Sequence, residues 1–296
     1  MKKILWILLG MLLMSLTYYF FIRSFEFKVS FKANTLPGDV IETIRLWNKS
    51  MDDATIMEVD SFGQLKQTIV WKKKSYIYNW YFTATNDSLT KVDIQISEPD
   101  RSLLNKLLVP FTDQNIERDA SEIVRGFYDV LKTHLEITKV RIIGESELDS
   151  AFCVCRTVET GQIDKANGMM KNYAILTSFI GDFGLKAEGR PSIRVSAWDH
   201  SKGLLKFDFC FPIVQEDSLP LSRSVIYKKF RKEKVIKAEY YGNYITSDRA
   251  WYALIQYAEK NGYKIRALPI EIFHDNPNLG FDESRWKAEV YLPIIE

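Results

Sequence analysis

The feature that most restricts the fold is an apolar run near the start of the chain, Ile4 to Ile22, which contains no charged residue. About 19 residues at about 1.5 Å each in a helix span a hydrocarbon core of roughly 30 Å. The run therefore predicts a membrane helix over residues 4–22. A cleaved signal peptide is the alternative, but the run exceeds the usual apolar segment of such a peptide and lacks a small-residue cleavage site.

Positive charges flank this run on both sides. Lys2 and Lys3 precede it, whereas Arg23, Lys28 and Lys32 follow it. The two sides are nearly balanced, but the leading pair favours an amino terminus on the inner side of the membrane. The sequence thus predicts a single-pass membrane protein whose body lies on the outer, periplasmic side.

The remaining chain has the composition of a globular protein. Hydrophobic residues make up 46% and aromatic residues 14% of 296 residues, enough for about two domains. The formal net charge is only +2, so we expect no nucleic-acid partner. A local basic run, residues 228–234, is interpreted as a solvated connector between domains. The sequence identifies no protein partner.

The cysteines and histidines form neither a metal site nor a full disulfide set. Cys153 and Cys155 lie on one face of a predicted strand, too poorly placed to bridge each other. We interpret the cysteines as small buried hydrophobic residues. The three histidines are far apart, without ligand spacing. The sequence therefore predicts no metal and no cofactor.

Residues 25 to about 140 are predicted to form one domain. Alternating apolar and polar residues indicate a strand at Phe25–Lys32, and a helix should begin near Pro37. A long amphipathic helix is predicted at about Asn115–Leu135. The antiparallel meander between the helices is predicted at Leu65–Trp71, Tyr76–Thr85 and Lys91–Ser97.

This order of strand, helix, meander and long helix resembles the START-like superfamily, also called the SRPBCC or polyketide cyclase helix-grip fold. The resemblance implies that the last helix lies across a curved sheet and encloses an apolar cavity for lipids or other hydrophobic molecules. The alternative is a closed core that is filled by aromatic side chains. Those side chains are Tyr76, Tyr78, Trp80 and Phe82.

One pattern occurs twice in the second half of the chain. Residues 184–191 correspond to residues 262–269, with the glycine, the lysine and the proline in register. Each segment precedes two predicted strands, the second ending in Pro-Ile, and each follows a predicted helix. We interpret this as a duplicated βαββ unit, with repeats at about residues 148–214 and 234–296.

Strand parity assigns the faces of these repeats, because side chains alternate across a sheet. Phe209 in the first repeat and Val290 in the second are predicted to pack against the helices. The opposite face then carries Asp208 and Glu289. We expect both carboxylates to face the space where the repeats meet, either paired with internal donors or free for a ligand.

The second repeat resembles the gyrase-inhibitor-like (GyrI-like) small-molecule-binding family, which includes effector-binding domains of AraC- and MerR-type multidrug regulators. The matching features are Tyr240-x-Gly242-x-Tyr244, Trp251 early in a helix, Asn261-Gly262-Tyr263 and Glu289-x-Tyr291-x-Pro293. The resemblance covers about residues 145–296. It predicts a tandem βαββ domain with a cleft between its two units.

The resemblance implies that aromatic side chains line this cleft around a central glutamate that meets cationic, lipophilic ligands. Glu289 matches that glutamate. Aromatic faces attract a cation by about 0.5–2 kcal/mol each, so several of them around a carboxylate would bind a lipophilic cation. The candidate wall residues are Tyr241, Tyr244, Trp251, Phe273 and Tyr291, with Asp208 as a second anion.

Three functions are consistent with this sequence. The first is a membrane-anchored sensor or sequestering protein for small hydrophobic or cationic molecules. The second is a hydrolase of electrophiles, with Glu289 as a general base of raised pKa and Tyr291 or Tyr244 as a donor. The third is a scaffold with closed clefts. The sequence contains no catalytic motif that favours the hydrolase over the other two functions. At the position where the regulators carry a helix-turn-helix segment, this chain has the apolar run and the strand-rich domain.

Overall fold

The computed structural model describes residues 2–60, 63–86, 88–112, 114–280 and 282–295. It forms two compact units, Met1–Lys132 and Thr133–Glu296. One unit contains a five-stranded sheet and the other an eight-stranded sheet, both antiparallel and both combined with helices. The predicted α+β class is therefore confirmed.

The apolar run forms a helix, as predicted. Helix α1 (Lys2–Thr17) continues into a π-helical turn, Tyr18–Ile22, and the backbone becomes extended at Arg23. Together, residues Lys3–Ile22 form a helix long and apolar enough to cross a membrane, and none of it is buried within the protein. A signal sequence near the amino terminus meets the same criterion.

The first unit is built around a sheet with the strand order β1-β5-β4-β3-β2. The long helix packs on this sheet through its apolar stripe: the ring of Phe127 is fully buried, 5.1 Å from the ring of Trp80. The elements of the unit are β1 (Phe27–Ala33), α2 (Pro37–Lys49), β2 (Ala54–Asp60), β3 (Gln64–Trp71), β4 (Lys74–Asn86), β5 (Leu89–Ser97), α3 (Ser102–Leu108) and α4 (Asn115–Ile137).

Large aromatic side chains fill the interior of this unit. Tyr76, Tyr78 and Trp80 alternate along β4 and are fully buried. The burial of Tyr78 raises the pKa of its hydroxyl well above the ordinary value. The unit contains a strand, a helix, a meander and a long helix in that order, while its membership of the START-like superfamily stays a prediction.

The second unit is built around a sheet with the strand order β10-β7-β9-β8-β12-β13-β11-β6. The succession strand, helix, strand, strand occurs twice along the chain, and β8 pairs with β12 where the two successions meet. The elements are β6 (Lys139–Leu148), β7 (Ala151–Gly161), α5 (Lys165–Asp182), β8 (Ser192–Asp199), β9 (Leu204–Pro212), β10 (Ile226–Phe230), β11 (Glu233–Tyr241), α6 (Arg249–Asn261), β12 (Ile270–Phe273) and β13 (Lys287–Pro293).

The faces of this sheet follow the parity that the sequence predicts. Phe209 and Val290 are buried in one apolar cluster with Leu176 of α5 and Trp251 of α6. The side chains between them along β9 and β13 therefore face away from the helices. Glu289 lies on that opposite face.

Two sequence-based interpretations are wrong in part: the three cysteines are buried, as expected, but two of them are bridged. Cys155 forms a disulfide with Cys210, its direct neighbour across β7 and β9, at a Cα–Cα distance of 4.1 Å. The expected absence of a bridge concerned only Cys153 and Cys155 within one strand, because local spacing contains no information about which strands pair. The basic run is also not simply a solvated connector, because its first residues belong to β10, and Lys228 forms a salt bridge with Asp208.

Candidate ligand-binding site

A cavity of about 170 Å³ opens on the helical side of the second unit. Its walls come from α5, from β9, from the end of β12 and from two loops. The aromatic and sulfur-containing lining residues are Met169, Met170, Tyr173, Phe209, Phe211, Tyr244 and Phe273. The charged and polar lining residues are Arg190, His274, Asp275 and Asn276. This mixture of apolar walls and few polar groups is typical of small-molecule sites.

A glycine turn positions Tyr244 in the cavity wall. Gly242 has a φ of 138°, a backbone conformation that favours glycine, and a side chain there would collide with the hydroxyl of Tyr240. Beyond this turn, the hydroxyl of Tyr244 donates to the carbonyl of Lys287 at 2.8 Å, and its ring lies 4.7 Å from that of Phe273. Burial raises the pKa of this tyrosine. Tyr244 is therefore a fixed wall and not a free acid or base.

Behind this wall lies a fully buried ion pair that the sequence analysis missed. The ammonium of Lys165 is 2.7 Å from the carboxylate of Glu271, and both side chains have an exposed fraction of 0%. The same ammonium donates to the hydroxyl of Ser247 at 2.6 Å and lies 4.7 Å from the centroid of the Trp251 ring. The carboxylate also accepts from Ser247 and from the indole nitrogen of Trp251. Burial raises the pKa of Glu271, while Lys165 opposes this effect.

The ion pair is adjacent to the cavity along both of its elements. Glu271 precedes Phe273 by two residues on β12, so both side chains point to the same face. Lys165 precedes Met169 by four residues on α5, so both lie on the same side of the helix. The space next to the cavity wall thus holds a carboxylate from Glu271, an ammonium from Lys165 and the aromatic ring of Trp251.

Glu289 lies on the sheet face opposite the helices and is not among the residues that line the cavity, although its carboxylate is 3.6 Å from Nε2 of the lining residue His274. Its carboxylate accepts from the hydroxyl of Tyr291 at 2.6 Å and pairs with Lys237 at 2.9 Å. Burial alone would raise the pKa of Glu289, but these two contacts, together with the nearby His274, outweigh burial and lower the pKa to about 2. This is the opposite of the raised pKa that the hydrolase hypothesis requires.

Asp208 and Glu289 are not adjacent on their shared face, because β8 and β12 lie between their strands. Asp208 accepts from the hydroxyl of Thr157 at 2.7 Å and pairs with Lys228 at 2.5 Å. Both carboxylates are paired with internal donors, and a ligand cleft that both of them face stays a prediction. Parity gave the shared face correctly, but it carries no information about the distance between strands.

The other predicted site residues divide between the two faces. Tyr244 and Phe273 line the cavity, and Trp251 lies behind it against the buried ion pair. Tyr241 donates to Glu239 and borders a separate open groove, and Tyr291 donates to Glu289. Among the described residues, no group of three or more His, Cys, Asp or Glu side chains could hold a metal ion.

Residues 159–295 match the family model of the GyrI-like small molecule binding domain. The predicted resemblance of the carboxy-terminal half is confirmed. The cavity and the buried ion pair both lie within this GyrI-like domain. The matched residues belong to the second unit alone, and a search of curated proteins gives no match.

Several solved structures are similar to part of the chain. The EcmrR C-terminal domain has 15% identity and a TM-score of 0.45, with 54% of this chain and 98% of that chain covered. SAV2435 bound to tetraphenylphosphonium has 11% identity and a TM-score of 0.37, with 51% and 92% covered. A hydrolase from Listeria innocua has 10% identity and a TM-score of 0.36, with 51% and 92% covered. At these TM-scores the likenesses support no conclusion about ligand or reaction.

Proposed function

We propose that the GyrI-like domain binds a small hydrophobic molecule in the cavity between α5, β9 and Tyr244. The observation that carries this proposal is the aromatic and methionine-lined cavity inside the domain that matches a small-molecule-binding family. Each square ångström of apolar ligand surface that leaves water contributes about 25 cal/mol. A ligand with one or two rings would therefore obtain most of its affinity from these walls.

The buried ion pair supports a neutral ligand over a cationic one. A lipophilic cation needs a carboxylate and an aromatic face in a dry site, and Glu271 with Trp251 provides both behind the cavity wall. The carboxylate of Asp275, in the wall itself, already accepts from the backbone N–H of Lys287 at 2.7 Å. The ammonium of Lys165 already contacts both Glu271 and Trp251. Displacing it would leave a second buried charge, which costs several kcal/mol. The cationic ligand that the sequence resemblance implied is thus the less favoured alternative.

We also propose that residues 4–22 anchor the protein in a membrane with both units outside the inner compartment. The 20-residue apolar helix supports the anchor. The disulfide between Cys155 and Cys210 supports an oxidising compartment for the second unit. The twofold succession of strand, helix and two strands supports a tandem duplication. A START-like identity for the first unit rests on its order of elements alone.

Ligand binding can be tested with probes that share one carbon skeleton. The full chain in lipid nanodiscs is titrated with 4-phenylbutanol, 4-phenylbutylamine and 4-phenylbutyrate, and with tetraphenylphosphonium as a larger cation. A ligand at 100 times its dissociation constant stabilises the fold by about 2.7 kcal/mol. We expect a saturable rise in the unfolding temperature with the neutral probe.

The specificity of this response is tested with two variants of α5. Met170 lines the cavity and is 40% exposed, whereas Ile175 is 39% exposed and does not line it. Met170→Trp should fill the cavity mouth and abolish the response, and Ile175→Trp should preserve it. If none of the probes raises the unfolding temperature, the closed scaffold is favoured. Turnover of an electrophile that disappears in Glu289→Gln would favour the hydrolase.

A further inference from the structure

The short helix α3 in the first unit has its polarity reversed. Asn105 and Lys106 are buried, at 4% and 5% exposure, whereas Leu103, Leu104 and Leu107 are 61%, 44% and 53% exposed. Phe111, just beyond the helix, is 81% exposed. A helix on the surface of a water-soluble domain normally buries its apolar stripe and exposes its polar residues. The outward stripe of α3 is therefore suited to apolar surroundings.

The buried residues of α3 are held by polar contacts, so the reversal is built into the fold. The amide of Asn105 donates to the carboxylate of Glu98 at 2.9 Å. The ammonium of Lys106 donates to the backbone carbonyls of Phe20 at 3.0 Å and Arg23 at 2.5 Å. Rotating the helix to bury its leucines would break these contacts and leave polar groups unsatisfied.

These contacts also fix where α3 lies. The carbonyls of Phe20 and Arg23 belong to the carboxyl end of the apolar helix, and the hydroxyl of Tyr19 donates to the carbonyl of Lys106 at 2.9 Å. The exposed stripe of α3 is thus tied to the point at which the apolar helix ends. Aromatic side chains such as Tyr19 are typical of the boundary between lipid and water.

We propose that Leu103, Leu104, Leu107 and Phe111, here named the α3 patch, form a second membrane contact that inserts into the lipid interface beside the anchor. The partner is the acyl and headgroup boundary of a phospholipid bilayer, which accepts an exposed apolar stripe lying parallel to the surface. The proposal rests on the proposed anchor. It goes beyond the anchor because it makes the first unit a peripheral membrane domain that lies against the lipid, and not a domain tethered above it.

The test measures the depth of labelled side chains in the full chain. A Cys153→Ser parent removes the free thiol, and single cysteines at Leu107, Leu103, Leu12 or Met57 carry an environment-sensitive fluorophore. The protein is reconstituted in phosphatidylcholine and phosphatidylglycerol vesicles with and without brominated acyl chains. Leu12 lies within the apolar helix, and Met57 lies on β2 with 61% exposure. We expect quenching at Leu107 and Leu103 to approach that at Leu12 and to exceed that at Met57 several-fold.

The outcomes separate this proposal from the anchor. Quenching at Leu12 together with water-like emission at Leu107 and Leu103 would overturn the α3 contact while the anchor stands. Absence of quenching at all positions would overturn both. A blue-shifted emission at Leu107 that bromine does not quench, and that weakens as the protein is diluted in lipid, would assign the α3 patch to a second copy of the chain and would also overturn the lipid contact.

Discussion

The buried pair of Lys165 and Glu271 makes a quantitative prediction for a double-mutant cycle. Removing one partner of a buried ion pair costs about 3–5 kcal/mol, because the remaining charge stays in the interior without compensation. Domains are stable by only about 5–15 kcal/mol. Lys165→Met and Glu271→Gln should therefore each destabilise the second unit severely. The double variant removes both charges and keeps an amide oxygen for the indole of Trp251, so it should lose far less than the sum.

An exposed pair in the same unit provides the matched control. Lys206 and Glu159 approach to 2.6 Å but are 47% and 69% exposed. Exposed ion pairs contribute about 0–1 kcal/mol. Lys206→Met and Glu159→Gln should therefore show a coupling energy below about 1 kcal/mol, against about 3 kcal/mol or more for the buried pair.

The assay must report on the second unit, because a chain with two units need not unfold in one step. Hydrogen exchange of the backbone amides of β13 gives the opening free energy of that unit. The cost of Lys165→Met should also shrink as the pH falls towards 4.5, because burial raises the pKa of Glu271 and the protonated acid carries no charge. A coupling energy equal to that of the exposed pair would refute the reasoning.

Three further predictions concern other contacts. The pKa of Glu289 is lowered from 4.5 to about 2, so its contribution to stability is present above pH 4.5 and is lost as the pH falls to 2. The free energy of unfolding of Glu289→Gln, measured in urea, should not show this loss. Reducing the bridge between Cys155 and Cys210 should cost about 4 kcal/mol, measured as a lower unfolding temperature with reductant that a serine double variant does not show. Phe127→Ala should cost about 3–5 kcal/mol in denaturant titrations, whereas Tyr128→Ala, at an exposed site, should cost far less.

The sequence predicts the elements whose residues alternate locally. The apolar stripe of α4 and the helix-facing positions of β9 and β13 follow from spacing alone, because each helix or strand imposes its own period on the side chains. The disulfide and β10 could not be predicted in this way. Cys155 and Cys210 are 55 residues apart and meet only because β7 pairs with β9, and no local period contains that information.

The candidate site shows the same limit. The family resemblance directed attention to Glu289, whereas the fully buried carboxylate beside the cavity is Glu271 and the carboxylate that lines the cavity is Asp275. A sequence signal for Glu271 exists: it is a charged residue between two isoleucines, at a position that pairs across the sheet with the buried Val290. Without the register of β12 on β13 this signal cannot be interpreted, because the opposite assignment of faces would expose Glu271 to water.

The buried ion pair and the α3 patch are the same kind of departure from an ordinary pattern. In β12 a carboxylate points inward, which is stable only because Lys165 reaches it with an ammonium group. In α3 the leucines point outward while Lys106 points inward. This arrangement is favourable where the leucines contact lipid and unfavourable where they contact water. In each place the fold gives up hydrophobic burial, at one position in β12 and at three leucines in α3, and holds the result with named polar contacts. Substitutions of the buried pair should therefore act on stability, whereas labels in the α3 patch report on lipid contact and Met170→Trp acts on ligand binding.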